Sequence, residues 1–405
     1  MSSQELNEAA VTWREEVRHL EITVSVVQGG LAFAQLRPAW TELLEASGQS
    51  VFNSWEWLYP WYRCIAPDRS LFLLTARSGE GSLVGLWPLA IEVRKVFGRP
   101  VRRLAFLGET HVGSDFLDII VQPENRQAVT RAFIQILKAR RAEWDVLDLV
   151  DFRAESPTVG LLEHAFATEI SELSERYVCP FETFAAGERF DDFLRRTGRR
   201  DNYLRRRKWL EKQPGFAIEL DTRPGSLAQP MSEFFRLHHA RWAGDGGSQG
   251  IKGARVEAFH RHATELLATR GWLRMYTMKV QGAAVASVYG ILQGGSFSYF
   301  QSGYDPAWRN KSVGLVLVGK TLEDSLASGA QRYEFLRGTE PYKFDWVSQQ
   351  ATTVALRIYS KGTRGAWLTR SEVWARRLRN GVKALMPKRL EERVRRLRRK
   401  GLALH

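Results

Sequence analysis

The sequence predicts an α/β chain: two mixed-sheet (α+β) units in tandem, followed by a basic helical tail. Three observations carry this. Two stretches, LFLLTARSGEGSLVGLWPLAIEV from Leu71 and LRMYTMKVQGAAVASVYGILQGG from Leu273, align as strand, turn, strand. Each is followed by further strand, a helix and a closing strand in the same order, an internal repeat. The cationic residues gather at one end: between Arg364 and Lys400 there are fourteen Lys and Arg against three Glu, a net +11 of the chain's +14. The rest of the chain is close to neutral, so the overall charge does not argue for nucleic-acid binding by the whole surface.

A chain of 405 residues that is 44% hydrophobic with 14 Trp has enough apolar mass for two cores. The first residues lack a basic segment followed by an apolar one, so no signal peptide is expected. No apolar run reaches the about 18 residues of a spanning helix. Two cysteines, Cys64 and Cys179, without a CxxC spacing fit a reducing cytoplasm. The eight His show no metal-ligand spacing, and no metal is expected.

In order, residues 20–28 read as an opening strand and 36–46 as an amphipathic helix. The run from Phe52 to Tyr62 holds Trp55, Trp57, Tyr59 and Trp61. It reads as a buried helix and turn, or as a wall for an apolar or sugar ligand. Residues 71–77, 82–93 and 101–108 read as antiparallel strands, with turns at 78–81 and 97–100. A further strand is expected over 114–121, a helix over 123–138 and a strand over 144–150. In the second unit, helices are expected over 232–242 and 254–269, and strands over 272–280, 284–292 and 296–303. A helix over 313–327 and a strand over 331–336 follow. The units are placed at residues 18–180 and 181–362, with the tail at 363–405.

The stretch from Ser296 to Trp346 organises the second unit. A strand rich in aromatics runs into a basic loop, a helix start and a second strand. A helix start offers free N–H groups and the positive end of its dipole to an anion. Within the loop, Arg309, Asn310, Lys311, Ser312, Val313 and Gly314 place Arg, Ser and Gly at i, i+3 and i+5. This resembles the Arg/Gln-x-x-Gly-x-Gly/Ala loop of the GNAT acyltransferase superfamily, which holds the pyrophosphate of coenzyme A. Ser312 departs from the usual Gly and puts a side chain beside the phosphates. The run from His239 through Arg241 and Trp242 to Phe335, Arg337, Gly338, Tyr342 and Lys343 is similar to the CelD-type, exopolysaccharide-associated branch of that superfamily. The tandem repeat is similar to the Fem-type aminoacyl transferases. The first unit has QPENRQAV at the matching helix start, without Gly, so it is expected to lack donor binding and to help form the acceptor cleft.

The resemblance implies direct attack of an amine on a thioester, with acetyl-CoA as acyl donor. It places Tyr342 as the acid that protonates the leaving thiolate, with packing under the cleft as its rival role. Glu340 is preferred as base over Asp305, Asp345 and Glu334, with a water chain as the alternative. Arg337 and Lys343 are read as contacts for an anionic acceptor, or as partners of Glu340 and Asp345. Arg199 and Arg200 belong to an Arg-rich segment, 195–208, that is either a solvated helix face or a cradle for a phosphorylated ligand. Leu194, Tyr203, Leu204, Trp209 and Leu210 are expected to form its buried stripe. The tail, divided by Pro387, is basic and amphipathic. It reads as solvated chain, as an anchor on the inner face of an anionic membrane, or as a site for RNA or a nucleotide signal. The expected activity is N-acylation of an amino sugar in a cell-surface polysaccharide or its lipid-linked precursor. A Fem-like use of charged tRNA and a degenerate nucleotide-sensing role are the alternatives.

Overall fold

The computed structural model describes residues 11–14, 21–243 and 250–385. Among them, fourteen strands join in one sheet. In chain order these are β1 (Val11–Arg14), β2 (Glu21–Val27), β3 (Ser70–Ser78), β4 (Leu83–Val96), β5 (Arg99–Phe106), β6 (Ile120–Val121), β7 (Val146–Arg153), β8 (Ile170–Thr183), β9 (Ala217–Asp221), β10 (Leu273–Val280), β11 (Ala283–Gln293), β12 (Ser296–Tyr304), β13 (Arg332–Glu334) and β14 (Gln349–Tyr359). The order across the sheet is β1-β2-β3-β4-β5-β7-β14-β8-β13-β12-β11-β10-β9, with the short β6 on β4.

The two ends of this sheet repeat one plan. β2 to β5 form an antiparallel meander, then β7 lies parallel to β5. The helix Arg126–Ala139 makes the crossover a parallel pair requires. β9 to β12 form the second meander, β13 lies parallel to β12, and the helix Val313–Ala327 makes the crossover. In the middle the units interlock. β14, from the end of the second unit, lies between β7 and β8, and β8 in turn lies between β14 and β13. The sheet therefore runs unbroken past residues 180 and 181.

β7 is buried along nearly its whole length, as a central strand covered on both faces must be. Its acidic residues are neutralised by neighbouring strands. Asp148 accepts from Arg103 of β5 at 2.7 Å and from Arg357 of β14 at 3.0 Å. Burial alone raises its carboxyl, but the two guanidinium groups outweigh burial and hold it below the usual range.

The aromatic run forms the helix Trp55–Cys64, capped by Ser54, with Trp55, Trp57 and Trp61 buried. It packs on the second unit's helix Ala254–Thr269, where Trp57 meets Phe259 edge to face at 4.9 Å and Phe300 at 5.2 Å. The first core thus crosses between the units. The second core lies between β10–β13, the helix Val313–Ala327 and the Arg-rich helix Arg200–Glu211. Gly319 lets those two helices touch, because a Cβ there would meet the Tyr203 ring at 2.1 Å.

Two expectations are corrected. Residues 114–121 pair as strand only at Ile120–Val121. Asn53 holds the rest as an irregular buried segment: its Nδ2 donates to the Phe116 carbonyl at 2.8 Å and its Oδ1 accepts from the Asp118 N–H at 3.1 Å. Phe116 has φ 60°, which no strand allows. On the Arg-rich helix, Tyr203 and Leu210 are buried, but Leu204 and Trp209 are exposed at 39% and 40%. The stripe is narrower than expected because the second core, with Phe190, Gly319 and Trp346 around Tyr203, receives only the Tyr203 and Leu210 side of the helix.

Candidate active site

The site begins where β12 and β13 part. They pair at Ser296–Arg332, Phe297–Tyr333 and Ser298–Glu334, and no further. Beyond Ser298, β12 keeps only β11 as partner, and a bulge at Phe300 shifts its register between Tyr299 and Gln301. Leu336, with φ 56°, turns the chain away after β13. The gap between the strands opens into a cleft of about 300 Å³. Its wall includes Arg241, Tyr299, Ser302, Tyr304, Arg309, Ser312 to Leu315, Tyr342 and Asp345.

The basic loop closes one side. Asp305 caps a 3₁₀ turn, Pro306–Lys311, by accepting from the Ala307 N–H at 2.9 Å. Ser312 takes φ 59°, ψ 27°, the left-handed conformation that a Gly adopts without strain. The helix Val313–Ala327 starts directly after it, with no side chain capping its first turn. Gly314 is exposed, and a Cβ there would meet nothing within 4 Å. Arg309 is exposed at the mouth and makes no ion pair among the described residues. An unpaired guanidinium and an open helix start thus face the same space.

Tyr342 forms the other side, on the short helix Pro341–Phe344. Its hydroxyl accepts from Arg241 and shares a hydrogen bond with Tyr299. Burial pushes that hydroxyl well above the ordinary phenol range, Tyr299 and Glu340 add to the effect, and Arg241 opposes it. Arg241 is fixed in turn by a 2.7 Å hydrogen bond to the Ser302 hydroxyl. His238, one turn before Trp242 on the same helix, lies 3.1 Å from the Ser302 carbonyl through Nδ1. Burial drives its pKa down to about 4, so it is neutral at pH 7. Gly303 permits this approach, since a Cβ would meet the His238 nitrogen at 2.3 Å.

Of the residues singled out in the sequence, the cleft brings together Arg309, Ser312, Val313, Gly314, Tyr342 and Asp345. Asn310 and Lys311 are exposed on the adjoining turn. The others lie elsewhere. Lys343 is buried, bonded to the Arg337 carbonyl at 2.7 Å and paired with Glu340 at 3.0 Å. Gly338, at φ 120°, leaves room for that pair, because a Cβ would strike the Glu340 carboxylate at 2.2 Å. Arg337 points into the junction of the units, where Asp115 at 2.7 Å and Asp151 at 3.3 Å receive it. Arg199 holds Asp345 through an ion pair and a 2.7 Å bond to its carbonyl. Arg200 pairs with Asp191 at 2.6 Å. Glu334 is held by Arg153 and Arg332 at 2.7 and 2.6 Å. Arg241, Tyr299, Ser302 and Tyr304 were not assigned roles from the sequence. The signal for Arg241 was its place in the helix motif, and that for the others was the alternation of β12.

A second, larger cavity of about 450 Å³ lies between the units. Its walls combine Gln49, Ser50, Ser156, Gln293 and Ser298 with the paired charges of Arg153, Arg332 and Glu334. Among the described residues, no group of three or more His, Cys, Asp or Glu is placed to hold a metal ion.

Residues 197–344 match the family model described as Acetyltransferase (GNAT) domain. The second unit is a GNAT domain, and the chain is an acyltransferase. Its fold, two GNAT-like units in tandem, is similar to the crystal structure of FemX, at 9% identity and TM-score 0.56 over 80% of this chain and 96% of that one. The C-terminal domain of a putative lysylphosphatidylglycerol synthetase from Agrobacterium fabrum aligns at 9% identity and TM-score 0.52, over 84% of this chain and 96% of that one. L-PGS from Bacillus licheniformis aligns at 12% identity and TM-score 0.50, over 82% and 94%. At such identities the likeness is one of fold. The sequence matches no curated protein.

Proposed function

We propose that the chain transfers an acyl group, acetyl in the simplest case, from acyl-coenzyme A to a primary amine. The single observation that carries this is the cleft. The unpaired Arg309 and the open first turn of Val313–Ala327 stand at its mouth, and Tyr342 stands inside it. Pyrophosphate suits the first pair, since a helix start and a guanidinium both favour phosphate oxygens. A thioester reaching inward then lies between the splayed strands. The amine nitrogen bonds to the thioester carbon, the carbon–sulfur bond breaks, and Tyr342 gives its proton to the departing sulfur. Its raised pKa keeps the hydroxyl protonated until then. Asp345 is the only one of the four carboxylates weighed as base that lines the cleft, and Arg199 already holds it. We therefore assign the amine proton to a chain of water molecules. Lys343 and Arg337, together with Glu340, then act as struts that fix the loop carrying Tyr342.

We assign donor binding to the second unit alone. In the first unit, Arg126 at the matching helix start is turned to Asp118 at 3.5 Å, and Asp118 also accepts from Ser156 at 2.7 Å. The acceptor we propose is an amino sugar of a cell-surface polysaccharide or its lipid-linked precursor. The cavity between the units supports it, because its hydroxyl, amide and paired charged side chains suit a hydroxyl-rich ligand more than an apolar one. Peripheral docking on an anionic membrane through the tail would bring such a precursor near. A second reading, transfer from aminoacyl-tRNA, is favoured by the likeness of fold to FemX.

Calorimetry with acetyl-CoA and with a charged tRNA separates the two. Acetyl-CoA is expected to bind. Arg309→Ala should weaken it by about 1.5–3 kcal/mol, the range for hydrogen bonds to a charged group. Gly314→Asp should weaken it further by placing a carboxylate against the phosphates. Unchanged affinity in both variants would remove the donor assignment.

A further inference from the structure

An open hollow of about 440 Å³ lies at the foot of the helix Arg364–Leu385 and shares no wall residue with either cavity described above. It is bounded by Ile170 at the start of β8, Tyr359 at the end of β14 and the turn into the helix. Three cations line it: Lys361, Arg364 and Arg370. Among the described residues, no carboxylate pairs with any of them. The acids around the turn are committed elsewhere: Glu169 holds Arg141 at 2.7 Å, Asp145 holds Arg102 at 3.0 Å and Glu372 holds Arg94 at 3.4 Å. Ser360 gives an independent sign. It is buried and lines the hollow, yet its hydroxyl has no hydrogen-bond partner. Buried polar groups are nearly always paired, so this hydroxyl is left for a group from outside the chain. The rim is apolar and open. Trp367 is 66% exposed and Ile170 40%. Trp367, Arg370 and Trp374 stand at i, i+3 and i+7, on one side of the helix. Tryptophan and arginine together on one helix side suit the boundary between lipid headgroups and acyl chains.

We infer that this hollow receives the phosphate of an anionic phospholipid headgroup, with Trp367 and Ile170 on the acyl-chain side. This rests on the membrane-docking reading above and extends it from the tail to the folded body. A phosphodiester carries one negative charge and two free acceptor oxygens. Arg364 and Arg370 offer paired N–H donors, Lys361 a point charge and Ser360 one further donor. The helix start adds the positive end of its dipole. Free phosphate could use the same donors, but it would leave Trp367 and Ile170 in water. A lipid covers both, which favours the lipid as the source of the phosphate. Stable anchoring takes two signals, so the hollow selects the headgroup while the tail supplies the charge that holds the chain on a vesicle.

The test is titration calorimetry of the full chain with dihexanoylphosphatidylglycerol below its micelle concentration and with inorganic phosphate, beside sedimentation with phosphatidylglycerol–phosphatidylcholine vesicles. The soluble lipid should bind more tightly than phosphate. The double variant Lys361→Ser/Arg364→Ser, at two exposed positions, should lower lipid affinity by about thirtyfold, about fivefold for each basic residue. Ser360→Ala should lower it by about tenfold, as for one hydrogen bond to a charged group. Trp367→Ala should weaken the lipid and leave phosphate unchanged. Equal lipid affinity in wild type and the double variant would overturn the hollow, and the membrane reading would then stand on the tail alone if the wild type still sediments. Should the double variant fold poorly, unchanged lipid affinity in Trp367→Ala would overturn the proposal by itself. Phosphate bound as tightly as the lipid would overturn the lipid source. Failure of the wild type to sediment with the vesicles would remove the membrane reading and the proposal together.

Discussion

Tyr342 shows how one side chain is tuned by what surrounds it. A phenol in water is half ionised only near pH 10. Here burial, with Tyr299 beside it, shifts that point upward, while Arg241 holds the hydroxyl by a hydrogen bond and opposes the shift. The group stays protonated across the working range and has a fixed direction. Phenylalanine at this position keeps the ring that packs 6.2 Å from Phe335 and removes only the hydroxyl. Tyr342→Phe should therefore lower kcat by about 10²–10⁴-fold, the usual worth of a positioned acid, with acetyl-CoA affinity nearly intact. Steady-state kinetics beside calorimetry measures both. A normal kcat together with a lowered Tm would assign the residue to packing.

At the scale of elements, the crossing of β7, β14 and β8 decides how the units hold together. The junction concentrates charge: Arg337 from the loop after β13 meets Asp115 and Asp151, and Arg176 of β8 reaches Asp151 at 3.1 Å. Burial raises the Asp151 carboxyl from 3.8 to about 6, Asp115 adds to this, and Arg337 and Arg176 oppose it. The folded state thus binds this proton more tightly than the unfolded chain. The resulting stabilisation is complete below the unfolded value of 3.8 and is lost as pH rises through about 6. Denaturant titrations at pH 7 and pH 4.5 of wild type and Asp151→Asn should show this. Relative to the variant, the wild type should gain about 2 kcal/mol at the lower pH, from about 1.4 kcal/mol per pH unit. A difference that is the same at both values would show that the carboxyl is not shifted.

At the scale of the whole molecule, the helix Arg364–Leu385 joins the body to the basic tail. Its start is fastened, with Ala366 and Leu368 packed against Val96, Val101, Val146 and Tyr359. Trp367 and Trp374, two turns apart, are 66% and 58% exposed. Residues 386–405, including Pro387 and most of the positive charge, lie outside the described residues. Among the described residues no helix is long and apolar enough to cross a membrane. A lipid surface docked by the tail would contribute roughly 1 kcal/mol for each basic residue near anionic headgroups. Because the helix start belongs to the first unit's packing, a chain ending at Gly362 would expose that seam, and one ending at Ala375 is the better comparison. The full chain should sediment with anionic vesicles and release as salt shrinks the Debye length to about 3 Å at 1 M. The shortened chain should stay in solution. Equal behaviour of the two would separate the tail from membranes.

The sequence by itself determined the elements whose pattern is local. The helix over 313–327 and the strands around residues 273–304 follow from spacing of apolar residues, and the structure bears them out. The turn before that helix was legible for the same reason, since an Arg, a Ser and a Gly ahead of a helix start act through neighbouring backbone. The segment over 114–121 misled because its apolar alternation says nothing of Asn53, which captures its backbone from 63 residues away. β14 was not foreseen, because its QQATTVALRIY gains its place only by lying between β7 and β8, far apart in the chain. The partners of charge were legible only where they are local: pairing of Lys343 with Glu340, three residues away, was one of the readings offered, whereas only tertiary packing sends Arg337 to Asp115, 222 residues away in the chain. Arg241 reaches Tyr342 from the helix Ala228–Ala243, held there by the hydroxyl of Ser302 on β12, two residues past the bulge at Phe300. Local backbone preferences are written in neighbouring residues, but which charges meet is settled when distant strands close into one sheet.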